Sequence, residues 1–141
     1  MTYQCKHFEI TELVPSETLQ ALGAEKCWWL FDEGGLRTLD LLREALDKPL
    51  VINNWNTGGN FSYSGFRPSN CTIGAAYSQH RFGRAFDVKV EGKEDLELSD
   101  WARDFIRAHK DQFPWIRAME TGITWVHIDG RNVDQFLEFA S

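Results

Sequence analysis

Three residues of this 141-residue chain can do chemistry together. His80 and Asp87 stand seven positions apart in Ser78-Gln79-His80-Arg81-Phe82-Gly83-Arg84-Ala85-Phe86-Asp87, and His127 follows forty residues later in Trp125-Val126-His127-Ile128-Asp129. Two imidazoles and one carboxylate are a sufficient donor set for a catalytic zinc ion whose fourth position stays open to water. A histidine near an aspartate, taken alone, is more often a surface hydrogen bond than a metal ligand, so the third donor gives the pattern its weight. The remaining histidines, His7 and His109, have no ligand-like partner and read as structural or exposed. A non-haem iron site built on His127-Ile128-Asp129 would need a further histidine downstream, and none follows.

The elements that must hold these side chains can be read from periodicity. Strict alternation in Ala85-Phe86-Asp87-Val88-Lys89-Val90 predicts a strand with Phe86, Val88 and Val90 on one face and Asp87 on the other. Residues 115–120 and 123–129, separated by Thr121-Gly122, read as a hairpin whose second strand carries Ile123, Trp125, His127 and Asp129 on one face. Residues 62–77 are dense in Ser, Gly, Asn and Pro and form a long functional surface loop leading into His80.

Upstream, Ser16 after Pro15 is an N-cap signal for a short helix through Leu19 and Leu22. Between residues 31 and 46, Leu36, Leu39, Leu41, Leu42, Ala45 and Leu46 recur at helical spacing until Lys48-Pro49 stops them. A short buried strand over residues 50–55 follows. Leu98-Ser99-Asp100 caps another helix bearing Trp101, Phe105, Ile106 and His109 and ending near Phe113-Pro114, while residues 132–141 fit either a short helix or a closing strand. Trp28, Trp29 and Trp101 sit within helical patterns and read as core or surface aromatics. The expected architecture is α+β, an antiparallel sheet flanked by helices, in one domain over 1–141.

Composition narrows the partners. A net charge of −6 argues against a nucleic-acid partner, because binding phosphate backbones requires clustered Lys and Arg. Cys5, Cys27 and Cys71 are odd in number and widely spaced, with no two-residue spacing of a zinc knuckle, and are expected to be reduced core thiols. The first ten residues lack the basic start and apolar stretch of a secretory signal. Nothing approaches the roughly twenty apolar residues of a membrane span, so membrane insertion is not expected.

The run Ser64-Gly65-Phe66-Arg67-Pro68, then Ser78-Gln79-His80 with Gly83, Ala85 and Asp87, then Trp125-Val126-His127, resembles the zinc D-Ala-D-Ala carboxypeptidase and L-alanyl-D-glutamate endopeptidase class, with its hedgehog/DD-peptidase fold. The matching motifs span residues 64–129, about half the chain, in the family's order. The resemblance implies one zinc ion (Zn2+) held by His80, Asp87 and His127. It implies an Arg67 guanidinium that binds a substrate carboxylate or developing oxyanion, and Ser78 and Trp125 as substrate-binding residues. Gly83 would let the chain pass closely between the first two ligands. The implied substrate is a peptidoglycan stem peptide. Small members lacking a signal are typical of bacteriophage genomes, so the protein is expected to be made in the host cytoplasm and to reach the wall after release or within a virion.

One position departs from the family. Many members place a Glu three residues before the last histidine ligand to take the attacking water's proton, and here that residue is Thr124. Two carboxylates can substitute. Asp129 lies on the His127 face about 7 Å along the strand. Glu120 precedes the turn; a tight two-residue hairpin would set it opposite Ile123 and about 13 Å from His127, with a wider turn bringing it nearer. The expected function is zinc-dependent peptide hydrolysis in the cell wall. The alternative, favoured by Thr124, is a non-catalytic phage structural or assembly protein that retains the fold.

Overall fold

Residues Ala85–Val90 form a strand, β2, in the computed structural model, which describes residues 2–140. Met1 and Ser141, the ends of the sequence and of its closing segment, lie outside the described residues. β2 belongs to an open five-stranded sheet with β1 (Leu50–Val51), β3 (Ala118–Thr121), β4 (Val126–Asp129) and β5 (Leu137–Ala140), in spatial order β1-β2-β4-β3-β5. The first four strands pair antiparallel, and β5 joins β3 in parallel. The closing segment is therefore a strand at the sheet edge. With helices α1 (Ser16–Leu22), α2 (Ala24–Cys27), α3 (Glu33–Leu46) and α4 (Leu96–Ala108), the class is α+β.

Phe86, Val88 and Val90 of β2, Met119 of β3, and Val126 and Ile128 of β4 form one buried cluster with Leu36, Leu39, Leu42 and Leu46 of α3 and Ala102 and Ile106 of α4. The alternation therefore assigns the core face correctly. It does not predict that the opposite face is covered too: all six residues of β2 and all four of β4 are buried. The loop before His80 folds back over that face. The Asp87 backbone N–H donates to the Ser64 carbonyl at 2.8 Å, and the Arg67 N–H donates to the His80 carbonyl at 3.2 Å.

Several boundaries differ from the sequence expectation, each for a local reason. Ser16 is the first helical residue of α1 rather than its cap, with Pro15 at the N-cap. α4 begins at Leu96, because the Asp95 carboxylate caps it by accepting from the Leu98 N–H at 2.8 Å, and it ends at Ala108, five residues before Phe113. The strand expected over 50–55 is cut to Leu50–Val51, and the chain turns into a single helical turn at Trp55–Thr57.

The β3–β4 connection matters most. It spans four residues, 122–125, rather than two. α4 fixes its path: the buried Arg103 donates to the Ile123 carbonyl at 2.9 Å and the Trp125 carbonyl at 2.7 Å, and the Ser99 hydroxyl donates to the Thr124 carbonyl at 2.9 Å. Ala118 then pairs with Asp129 and Met119 with Ile128, and continuing this register brings Glu120 level with His127 on the same face. The 13 Å separation expected for a tight turn does not apply.

Two glycines admit close backbone approaches. At Gly83 the chain has φ +69°, and a Cβ would overlap the Leu30 carbonyl, so its close neighbour is this backbone rather than the ligands themselves. At Gly65 a Cβ would overlap the Leu13 carbonyl, to which the Phe66 N–H donates at 2.8 Å. Among the described residues no helix is long and apolar enough to cross a membrane. Gly83→Ala combines left-handed strain with a backbone clash and is expected to destabilise the protein by at least about 2 kcal/mol. Urea unfolding at the wild-type midpoint would contradict this close approach.

Candidate metal centre

The β2–β4 register sets Asp87 directly opposite His127, two side chains on one face of a rigid ladder. His80 arrives from the loop on a short helical turn, Gln79–Phe82, whose N-cap Ser78 hydroxyl accepts from the His80 N–H at 3.3 Å. One donor atom from each of His80, Asp87 and His127 lies within 4.8 Å of the other two, close enough to hold a metal ion. His80 Nε2 is 3.3 Å and His127 Nδ1 2.8 Å from Asp87 Oδ1.

Each imidazole is aimed by its second nitrogen. His80 Nδ1–H donates to the Gly65 carbonyl at 2.8 Å; a carbonyl only accepts, so this nitrogen carries a proton and Nε2 is the atom turned toward Asp87. His127 Nε2–H donates to Asp129 Oδ2 at 2.8 Å, and Asp129 accepts from Arg131 Nε at 2.8 Å and Nη2 at 2.6 Å. Hydrogen bonding of the non-ligating nitrogen to a carbonyl or carboxylate is the arrangement that orients histidine ligands. On Asp87, the outer oxygen Oδ2 accepts from Arg67 Nη2 at 3.3 Å.

The electrostatics suit a cation. Burial would raise the Asp87 pKa, yet the neighbouring His80 and the His127 hydrogen bond hold its carboxyl far below the usual range. Burial would lower the His127 pKa, yet the hydrogen bonds to Asp129 and Asp87 hold it up at about 9. Burial likewise opposes the charge of Asp129, and the Arg131 and His127 hydrogen bonds keep it ionised, with a pKa of about 2. His127 is thus protonated at neutral pH and donates to Asp87; a metal ion bound here would have to displace that proton.

A cavity of about 460 Å³ opens over the three donors. Arg67, Ser78, Trp125 and Glu120 all line it. The two carboxylates kept open on sequence separate here. Asp129 is completely buried, 0% exposed, and tied to His127 and Arg131, so it holds a ligand in place and cannot contact a water in the cavity. Glu120 faces the cavity and has no hydrogen-bond partner among the described residues.

Sequence reasoning missed Arg131, Phe139 and Lys89. Arg131 and Phe139 line the cavity, the guanidinium 4.8 Å from the ring centroid, and Phe139 meets the His127 ring edge-on. Lys89 is 2% exposed; its ammonium donates to the Ile52 carbonyl, the Ser64 hydroxyl and the Asp87 carbonyl at 2.5, 2.8 and 3.2 Å. Its one advance signal was a lysine on the Asp87 face of a strand too apolar to be at the surface. His7 pairs with Glu44 at the surface, and His109 donates to the Phe105 carbonyl, so both lie apart from the centre. Trp28 is buried while Trp29 and Trp101 are exposed, and the three cysteines are free thiols.

Comparison with protein-family models, with curated proteins and with solved structures found no match to this chain.

Two measurements test the centre. Because metal binding displaces the His127 proton, apparent affinity is expected to rise about tenfold per pH unit below pH 9 and then level off, as read by competition with a chromophoric chelator. Affinity that stays flat between pH 6 and 8 would refute the proton displacement. Asp129→Asn, which weakens the acceptor behind His127, is expected to lower affinity about 10- to 100-fold with little loss of fold.

Proposed function

We propose that this protein is a zinc-dependent peptidase of the D-Ala-D-Ala carboxypeptidase and L-alanyl-D-glutamate endopeptidase class, hydrolysing peptide bonds in peptidoglycan stem peptides. The observation that carries this reading is Glu120: a carboxylate with no hydrogen-bond partner among the described residues, facing the same cavity as three residues close enough to hold a metal ion. It supplies the proton acceptor that Thr124 cannot.

The donor set supports zinc. His80, Asp87 and His127 would hold it: two imidazoles and a carboxylate are zinc-ligating types, and His80 Nε2 and His127 Nδ1 lie 3.3 and 2.8 Å from Asp87 Oδ1. A zinc ion bound there supplies Lewis-acid polarisation of the scissile carbonyl and acidifies water. The chain's own residues do the rest. Glu120 takes the proton from the attacking water and returns it to the leaving amine. Arg67, with Nε donating to the Tyr63 carbonyl and Nη2 to Asp87, keeps Nη1 free of protein partners among the described residues and offers it to the developing oxyanion. Ser78 fixes the turn that carries His80, and Trp125 walls the cavity against water.

In this reading the protein is made in a host cytoplasm and acts on the wall after release or as part of a virion. Its rival is a non-catalytic phage structural or assembly protein that keeps the metal. Glu120→Gln is expected to retain one equivalent of zinc and to cut release of new amines from purified peptidoglycan by at least about 100-fold. Zinc-loaded wild-type protein that releases none would favour the structural rival.

A further inference from the structure

A second, larger concavity of about 670 Å³ lies beside the metal cavity, on the far side of the turn that carries His80. The two share Ala76 and Tyr77, so the residues 76–77 form the ridge between them. Leu30 and Phe66, packed against the core, contribute its floor. Three of the large apolar side chains exposed on this molecule gather on its walls: Leu22, Phe82 and Tyr77, the last 83% exposed. Tyr77 is nearly free of the protein, while Leu22 and Phe82 keep two fifths and half of their surface open, with Arg84 over the Phe82 ring, so apolar surface remains for an occupant.

The charges around this groove are already engaged. Glu17 accepts from the Tyr63 hydroxyl at 2.6 Å. Arg81 donates to the Ser69 carbonyl at 2.7 Å and to the Cys71 carbonyl, which fastens the loop that forms the rim. What is left for a ligand is two exposed aromatic rings, aliphatic surface, and the Asn70 amide with the Ser69 hydroxyl. The metal cavity differs: it presents Arg67, Arg131 and Glu120. A polymer spanning both would place its charged peptide over the metal and a neutral, partly apolar unit in the groove. In peptidoglycan that neutral unit is the N-acetylated amino sugar, whose C–H face packs on aromatic rings and whose acetamido group pairs with an amide side chain.

We infer that the groove between α1 and the 66–82 loop is a glycan subsite, binding an N-acetylglucosamine unit of the glycan strand that carries the stem peptide, with Tyr77 as its stacking platform. This inference rests on the peptidase reading for its substrate, and the sugar arm of its test does not depend on turnover.

Zinc-loaded Glu120→Gln protein is titrated with a tetramer of N-acetylglucosamine, followed by amide chemical shifts. Saturable binding with shifts at Asn70, Tyr77 and Phe82 is expected, weakened roughly three- to tenfold by Tyr77→Ala. The exposure of Tyr77 makes its replacement harmless to the fold. In parallel, wild-type protein is given a glycan-linked stem peptide and the same peptide freed of sugar; Phe82→Ala, which lines the groove and not the metal cavity, is expected to raise KM for the linked substrate alone and leave kcat unchanged. A tetramer that does not bind, or binds equally well to Tyr77→Ala and Phe82→Ala, overturns the subsite even if peptides are cut. Tetramer binding with neither substrate cut upholds the subsite and sinks the peptidase reading. A groove that takes an apolar peptide in preference to the tetramer also overturns the assignment.

Discussion

Asp87 and His127 face one another across the β2–β4 ladder, and bringing a carboxylate and two imidazoles together in a buried place is the constraint that the surrounding structure answers. Removing a carboxylate from water costs several kcal/mol unless it is paired and hydrogen-bonded. Asp87 meets that demand with His80 and His127 on one oxygen and Arg67 on the other. Two of these partners, His80 and His127, bring potential ligand atoms to within 4.8 Å of the Asp87 carboxylate, so the interactions that make burial tolerable also build the centre. Arg131 and Asp129 extend the chain of contacts behind His127, and Gly65 does so behind His80.

Half of the centre is ladder and half is loop, and the loop half needs fastening. Lys89 provides it. Its ammonium ties Ile52, the residue after β1, to the loop through Ser64 and to β2 through the Asp87 carbonyl, and it lies 4.0 Å from the Phe61 ring centroid. Burial pushes its pKa down to about 8, and the nearby Asp87 works against that shift. Ser64 is adjacent to Gly65, whose carbonyl aims His80, so one buried cation links the sheet to the loop-borne ligand. Gly65 in turn rests on the Leu13 backbone, which brings the segment before α1 into the support of the site.

What was legible in the sequence follows from how local each signal is. The ligand strand could be read because alternation over Ala85–Val90 is a property of six residues, and α3 because its leucines repeat at helical spacing. The grouping of His80, Asp87 and His127, close enough to hold a metal ion, could be read because their types and order carry chemistry. The covering of the Asp87 face could not, since it depends on a loop whose Ser, Gly and Asn residues announce irregularity without direction. β5 was undecided because its four residues pair with β3 in parallel, a long-range choice invisible in the segment itself. The start of α4 was misplaced because Asp95 and Ser99 both offer capping side chains; Asp95 caps the helix and Ser99 serves the 122–125 connection.

That connection acts as a counting device. Strand side chains alternate with a period of two, so the number of residues between β3 and β4 decides which member of β3 shares a face with His127. With four, the partner is Glu120; one residue more or fewer would bring Met119 or Thr121 level with it instead. Arg103 and Ser99 of α4 occupy the carbonyls of Ile123, Thr124 and Trp125 and so hold the count from outside the sheet. A helix on the core side thus determines, by length alone, which functional group a distant cavity receives. A chain of this architecture can thus change which β3 side chain stands level with His127 by changing a loop rather than a residue.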